Sequence, residues 1–130
     1  MAHAGIYATS AQILAKAGKN ADITTFTEAK INEACLEAEG TIHCISRKVF
    51  AVDITAYTAM PAGGKGILAD IEACLVGIDI IEHNMQGIPA TPFNSRIEAE
   101  DMVNILRDGA LRGMSLIRDQ KVVKFITDGA

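Results

Sequence analysis

Apolar residues recur along this chain at alternating spacings of three and four, interrupted by clusters of Gly, Pro and small polar residues. That pattern predicts four helical segments and a short tail. The first opens on Thr9, with Gln12 three residues on as a capping box, carries Ile13, Leu14 and Ala17, and is expected to stop at Gly18. A polar loop to Thr25 follows. The second helix starts at Thr25, with Glu28 at its N3 position, or at Thr27. From there Ile31, Cys35, Ala38, Ile42, Ile45, Val49 and Val52 form one seam, which would make a helix roughly 40 Å long at the α-helical rise if it ran unbroken to Val52. Glu28, Lys30, Glu33, Glu37, Glu39, Arg47 and Lys48 fall mostly off the seam and read as a solvated face.

The stretch from Asp53 to Gly66 carries Pro61 and three glycines. It reads as a connecting loop with β-like character around Ile54 to Tyr57. The third helix, from about Lys65 to Met85, is apolar around much of its circumference through Ile67, Leu68, Ile71, Cys74, Leu75, Ile78 and Ile81, so it is expected to be central. Gly87 and Pro89 stop it. Ser95, with Glu98 as its N3 partner, opens the fourth helix, whose stripe is Ala99, Val103, Leu106 and Ala110 and which is expected to end near Gly113. The tail, KVVKFITDGA, has the β-branched and aromatic density of a strand or an extended arm. The expected organisation is therefore a mainly α, four-helix domain over 1–118 and an extended arm over 119–130.

Composition sharpens this picture. Of 130 residues 49% are hydrophobic but only 5% aromatic, and mean hydropathy is +0.21. A chain of this size and composition buries a core and is not disordered. Twelve Lys and Arg against sixteen Asp and Glu give a net charge of −4, which leaves no basic excess for autonomous nucleic-acid binding. The longest apolar run, Ile67 to Ile81, is interrupted by Asp70, Glu72 and Asp79, so no membrane span is expected. The opening MAHAGIYATS shows no readable secretory signal, and synthesis in the cytosol is the expectation. Three cysteines, Cys35, Cys44 and Cys74, then read as small buried hydrophobes rather than a disulfide framework.

Chemical motifs are sparse. His43 beside Cys44 cannot chelate from one helix face, and His83 sits at a helix end that favours a cation, so both read as surface or cap residues. Gly63-Gly64-Lys65-Gly66 precedes a helix, but Gly66 stands where a phosphate loop needs Ser or Thr. It reads as a flexible linker. Glu98, Glu100 and Asp101 complement the positive end of the fourth helix. No catalytic constellation, metal ligand set or cofactor motif emerges, and an enzyme is not expected.

The order of segments resembles a family. Ile6-Tyr7-Ala8-Thr9 entering a short helix that ends at Gly18, then Ile31 followed by Ala38-Glu39 and Ile42, then a fourth helix running into Ile105-Leu106-Arg107-Asp108-Gly109 and Gly113, is similar to the tailed-phage head completion proteins, also called head–tail connectors or adaptors. The similarity spans about residues 6 to 116. It implies a virion structural subunit, synthesised in the host cytoplasm, that forms a homo-oligomeric ring, commonly of twelve, below the portal protein. Such a ring extends the DNA channel toward a stopper or tail-completion protein, and DNA passes without sequence-specific binding. By that analogy Lys121, Val122, Val123, Lys124, Phe125 and Ile126 are the candidate portal-docking arm, and Glu28, Glu33 and Glu37 are candidate channel-facing acids. The rival reading is a small cytosolic helical binding or regulatory module that dimerises through the second-helix seam.

Overall fold

The computed structural model describes residues 5–17, 27–85 and 96–128. Among them are six helices and no strand: α1 (Ser10–Ala17), α2 (Glu28–Ser46), α3 (Ile54–Ala59), α4 (Ala62–Met85), α5 (Arg96–Ile117) and α6 (Gln120–Asp128). The chain is mainly α, as expected. The Gly18 stop, the 18–25 loop, the Gly87 and Pro89 stop and the Ser95 cap lie outside the described residues, apart from the end of α4 and the start of α5.

The capping box of α1 is present in both directions. The Thr9 amide donates to Gln12 Oε1 at 2.9 Å, and the Gln12 amide to Thr9 Oγ1 at 3.2 Å. Thr27 is the N-cap of α2, with an extended backbone. The helix ends six residues short of the expected Val52. Arg47 adopts the left-handed conformation at φ 59°, the Lys48 amide caps the His43 carbonyl at 3.2 Å, and the Ser46 hydroxyl donates back to the Ile42 carbonyl at 2.7 Å. The seam consequently closes on Ile45, and Val49 and Val52 lie outside it, exposed.

Two further expectations, on the segment after α2, are corrected. Ile54 to Tyr57 is not β-like: Asp53 Oδ1 accepts the Ala56 amide at 2.8 Å and starts α3. Gly63 to Gly66 is not a linker but the first turns of α4. A Cβ at Gly64 would stand 2.9 Å from Ile126 Cγ1 and 3.1 Å from Ile126 Cα, so the glycine lets α6 lie directly on α4. The C-terminal segment, expected to be an extended arm, is thus a helix that packs on α4 and α5.

α4 is the central element. It packs against α1, α2, α5 and α6, running antiparallel to both α2 and α5: Ile42 meets Leu68 and Ile71 at one end, Ile31 meets Val76 and Ile80 toward the other. Cys74 and Ile81 pack against Leu106 and Ala110 of α5. α5 continues past Gly113 to Ile117 because that glycine is a contact point and not a stop: its Cβ would be 2.5 Å from Ile71 Cγ1.

These glycines make opposite predictions. At Gly40, exposed in mid-α2, a Cβ meets nothing within 4 Å. Gly40→Ala is expected to raise stability by about 1 kcal/mol through helix propensity. Gly113→Ala gains the same propensity but forces the buried Ile71 aside, so a net loss of about 1–3 kcal/mol is expected. Urea midpoints of the two variants with unchanged m-values test both signs.

Candidate functional site

Residues 5–9 enter α1 in irregular conformation, so their amides cannot be satisfied within a helix. Two carboxylates from different helices satisfy them. The Ile6 amide donates to Glu39 Oε2 of α2 at 2.7 Å, and the Ala8 amide donates to Glu72 Oε2 of α4. Both glutamates are buried, Glu72 completely. Glu39, assigned to a solvated face from its charge, instead stands four residues after Cys35 and three before Ile42, on the seam itself. Glu72 stands four after Leu68 and four before Val76, both fully buried. The signal was the apolar spacing around each carboxylate; charge alone masked it.

Between the two anchored amides Tyr7 turns into the core. Its hydroxyl lies 2.6 Å from His43 Nε2, and its ring meets His43 edge-on at 5.7 Å and Tyr57 of α3 at 5.3 Å. Tyr57 in turn donates to the Lys65 carbonyl at 3.0 Å, while Lys65 Nζ sits 5.0 Å from the centre of the Tyr57 ring. His43 is therefore a partner of Tyr7, not the surface or cap residue expected from its position.

The electrostatics follow from burial. Burial first, then the neighbouring Glu39, pushes the Glu72 carboxyl up to about 9, which keeps it protonated at neutral pH. Its second oxygen, Oε1, is buried with no hydrogen-bond partner among the described residues. Burial likewise raises Tyr7 to about 12 and lowers His43, so a neutral phenol and a neutral imidazole face each other. The thiol of Cys35 is pushed upward by burial and by the nearby Glu72 and Glu39, which suppresses its thiolate. The arrangement is suited to holding a chain segment by two buried carboxyls.

The other expected site residues scatter. Of the seam and core set, Ile31, Cys35, Ala38, Ile42, Leu68, Ile71 and Leu106 are buried, whereas Ile45, Leu75, Ile78 and Val103 are half-buried at the edges. Cys35 and Cys74 are buried, but Cys44 is exposed, contrary to expectation. Glu28 is half-buried and accepts from Ser10 Oγ at 3.1 Å; Glu33 and Glu37 are exposed on α2. In α6, Val123 and Ile126 are buried in this chain's own core, Val122 is half-buried, and Lys121, Lys124 and Phe125 face outward. Among the described residues no group of His, Cys, Asp or Glu could hold a metal ion, and no helix is long and apolar enough to cross a membrane. No protein-family model, curated protein or solved structure matches this chain.

The buried carboxyl carries a pH signature. The Glu72 carboxyl would titrate near 4.5 if unperturbed and does so near 9 in the fold, so between those values the folded chain holds a proton that the unfolded chain has released. Its contribution is fully present below about 4.5 and is lost as pH rises to about 9. Glu72→Gln keeps an acceptor for the Ala8 amide but cannot ionise. Urea unfolding at a series of pH values should show the wild-type chain weakening from pH 5 to 9, with a slope from this group of up to ~1.4 kcal/mol per pH unit. The variant's curve should be flatter by that amount, and parallel curves would remove the assignment.

Proposed function

We propose that this chain is a head–tail connector (adaptor) subunit of a tailed-phage virion, forming a ring under the portal and extending the DNA channel toward the tail. The reading rests on the helical layout together with one observation: large aliphatic side chains remain outside a domain that has already filled its core. Leu36 is 71% exposed, Val52 77% and Ile105 69%, and Leu111 and Leu116 also lie on the outward face of α5. Such residues favour burial against other subunits. In the candidate portal-docking segment, Lys121 and Phe125 are outward residues of α6 that can meet the portal. Glu33 supplies exposed negative charge of the kind that lets DNA slide past.

The rival dimer through the second-helix seam has less to recommend it. Ile31, Cys35, Ala38 and Ile42 are packed inside this chain against α1 and α4, and would have to leave that packing to meet a second copy.

Native mass measurement and electron microscopy of the chain, alone and mixed with the portal protein of its own virion, test the proposal. The expected result is a closed ring of fixed copy number, commonly twelve, seated on the portal. A monomer or an isolated two-subunit species that ignores the portal would overturn it.

A further inference from the structure

The bundle is electrically polar along α2. Its C-terminal end carries a cleft lined by Arg47, Lys48, Gln120, Val123, Lys124 and Thr127, with three cations and no carboxylate. Val49 and Val52, which follow Lys48 in the chain, are exposed. Farther toward the N-terminus of α2, a groove between α2 and α4 has a floor of Ala34, Ala38, Leu75 and Ile78 and a rim that includes Glu37 and Asp79. Leu36 projects next to Glu37, exposed. Burial, then the charges of Glu82 and Glu37, raises the Asp79 carboxyl to about 6, so this rim is a crowded set of like charges.

The two surfaces are complementary in charge. They are also fixed at separate places along the bundle, their nearest α2 residues, Thr41 and Arg47, lying six residues or roughly 9 Å apart at the α-helical rise. They therefore cannot meet within one molecule. A self-complementary patch would pair two copies about a twofold axis, whereas complementary patches at different places on one surface join copies in sequence and close into a ring when the rotation allows.

We propose that copies of this chain assemble head to tail, the basic cleft of Arg47, Lys48 and Lys124 on one copy docking onto the acidic α2–α4 groove of the next. This rests on the ring reading above and gives it a contact. The cations of the cleft remove the repulsion between Glu37 and Asp79.

Charge reversal tests the contact at side chains that are exposed and remote from the core. Lys48→Glu with Lys124→Glu makes both surfaces acidic, and Glu37→Lys with Glu82→Lys, at the two charges beside Asp79, makes both basic. Each double variant alone should lose assembly at least about tenfold in concentration dependence, as opposed charges become like charges. Mixed in equal amounts the two should recover it, because the reversed cleft of one fits the reversed groove of the other while the unaltered surfaces also match. Circular dichroism melts matching those of the wild-type chain establish that the variants fold. Sedimentation of wild type, each variant and the mixture reads the outcome, with assembly weakening as salt rises. If wild type forms rings and either double variant forms them equally well, or the mixture shows no rescue, the contact is wrong and the ring reading stands. Should Lys48→Glu with Lys124→Glu alter only the binding of a short DNA duplex, the cleft belongs to phosphate and the contact is likewise wrong. A wild-type chain that never assembles, even with the portal present and up to roughly 1 mM, overturns both.

Discussion

The closeness with which neighbours approach α4 governs this fold. A helix surrounded by α1, α2, α5 and α6 must bury most of its circumference, and the side chains available for that are Ile, Leu, Val, Ala and Cys rather than aromatics. Small residues set the spacing. Gly64 admits α6, Gly113 of α5 receives Ile71, and at Gly77 an added Cβ would stand 3.1 Å from Lys16 Cβ of α1. Dense packing of short aliphatic groups gives many dispersion contacts per unit volume and tolerates little extra volume. The high aliphatic and low aromatic content is the compositional trace of this arrangement. Where α1 meets α4 at the surface, the packing is closed by an ion pair, Lys16 Nζ to Asp70 Oδ1 at 2.9 Å.

How far the sequence disclosed this depended on which interaction decided each element. Local signals were legible: the Thr9–Gln12 box, the α2 seam from Ile31 to Ile42, and the all-round apolarity of α4 all follow from chemistry within a few residues. Elements decided by distant contacts were not. Gly63 to Gly66 has the local chemistry of a linker and becomes helical where it packs against Phe125 and Ile126, about sixty positions away. The same contact makes a helix of the β-branched tail, since Val123 and Ile126, three apart, share its buried side. The end of α2 was misplaced because apolar periodicity continues through Val49 and Val52, while a left-handed Arg47 and the back-bonding of Ser46 stop the backbone first.

The carboxyl site was legible in part. Glu39 and Glu72 occupy seam positions, which marks them as inward-facing, but what they hold is a main-chain segment whose own side chains say nothing of its need for acceptors. Backbone amides have no sequence signature. Tyr7, lodged between His43 and Tyr57, is similar: three separate elements bring its neighbours together, and none is close to it in the chain.

The span of the anchoring bonds has a consequence for how the chain is made. Ala8 is 64 positions from Glu72, and Ile6 is 33 from Glu39. On a ribosome residues 6–8 emerge ahead of α2 and α4, and both acceptors are supplied only after α2 and nearly half of α4 have been synthesised. Its amides remain hydrated until then, and loop closure over that distance delays their capture relative to helix formation. Residues 6–8 are thereby fixed late relative to the helices whose carboxyls hold them.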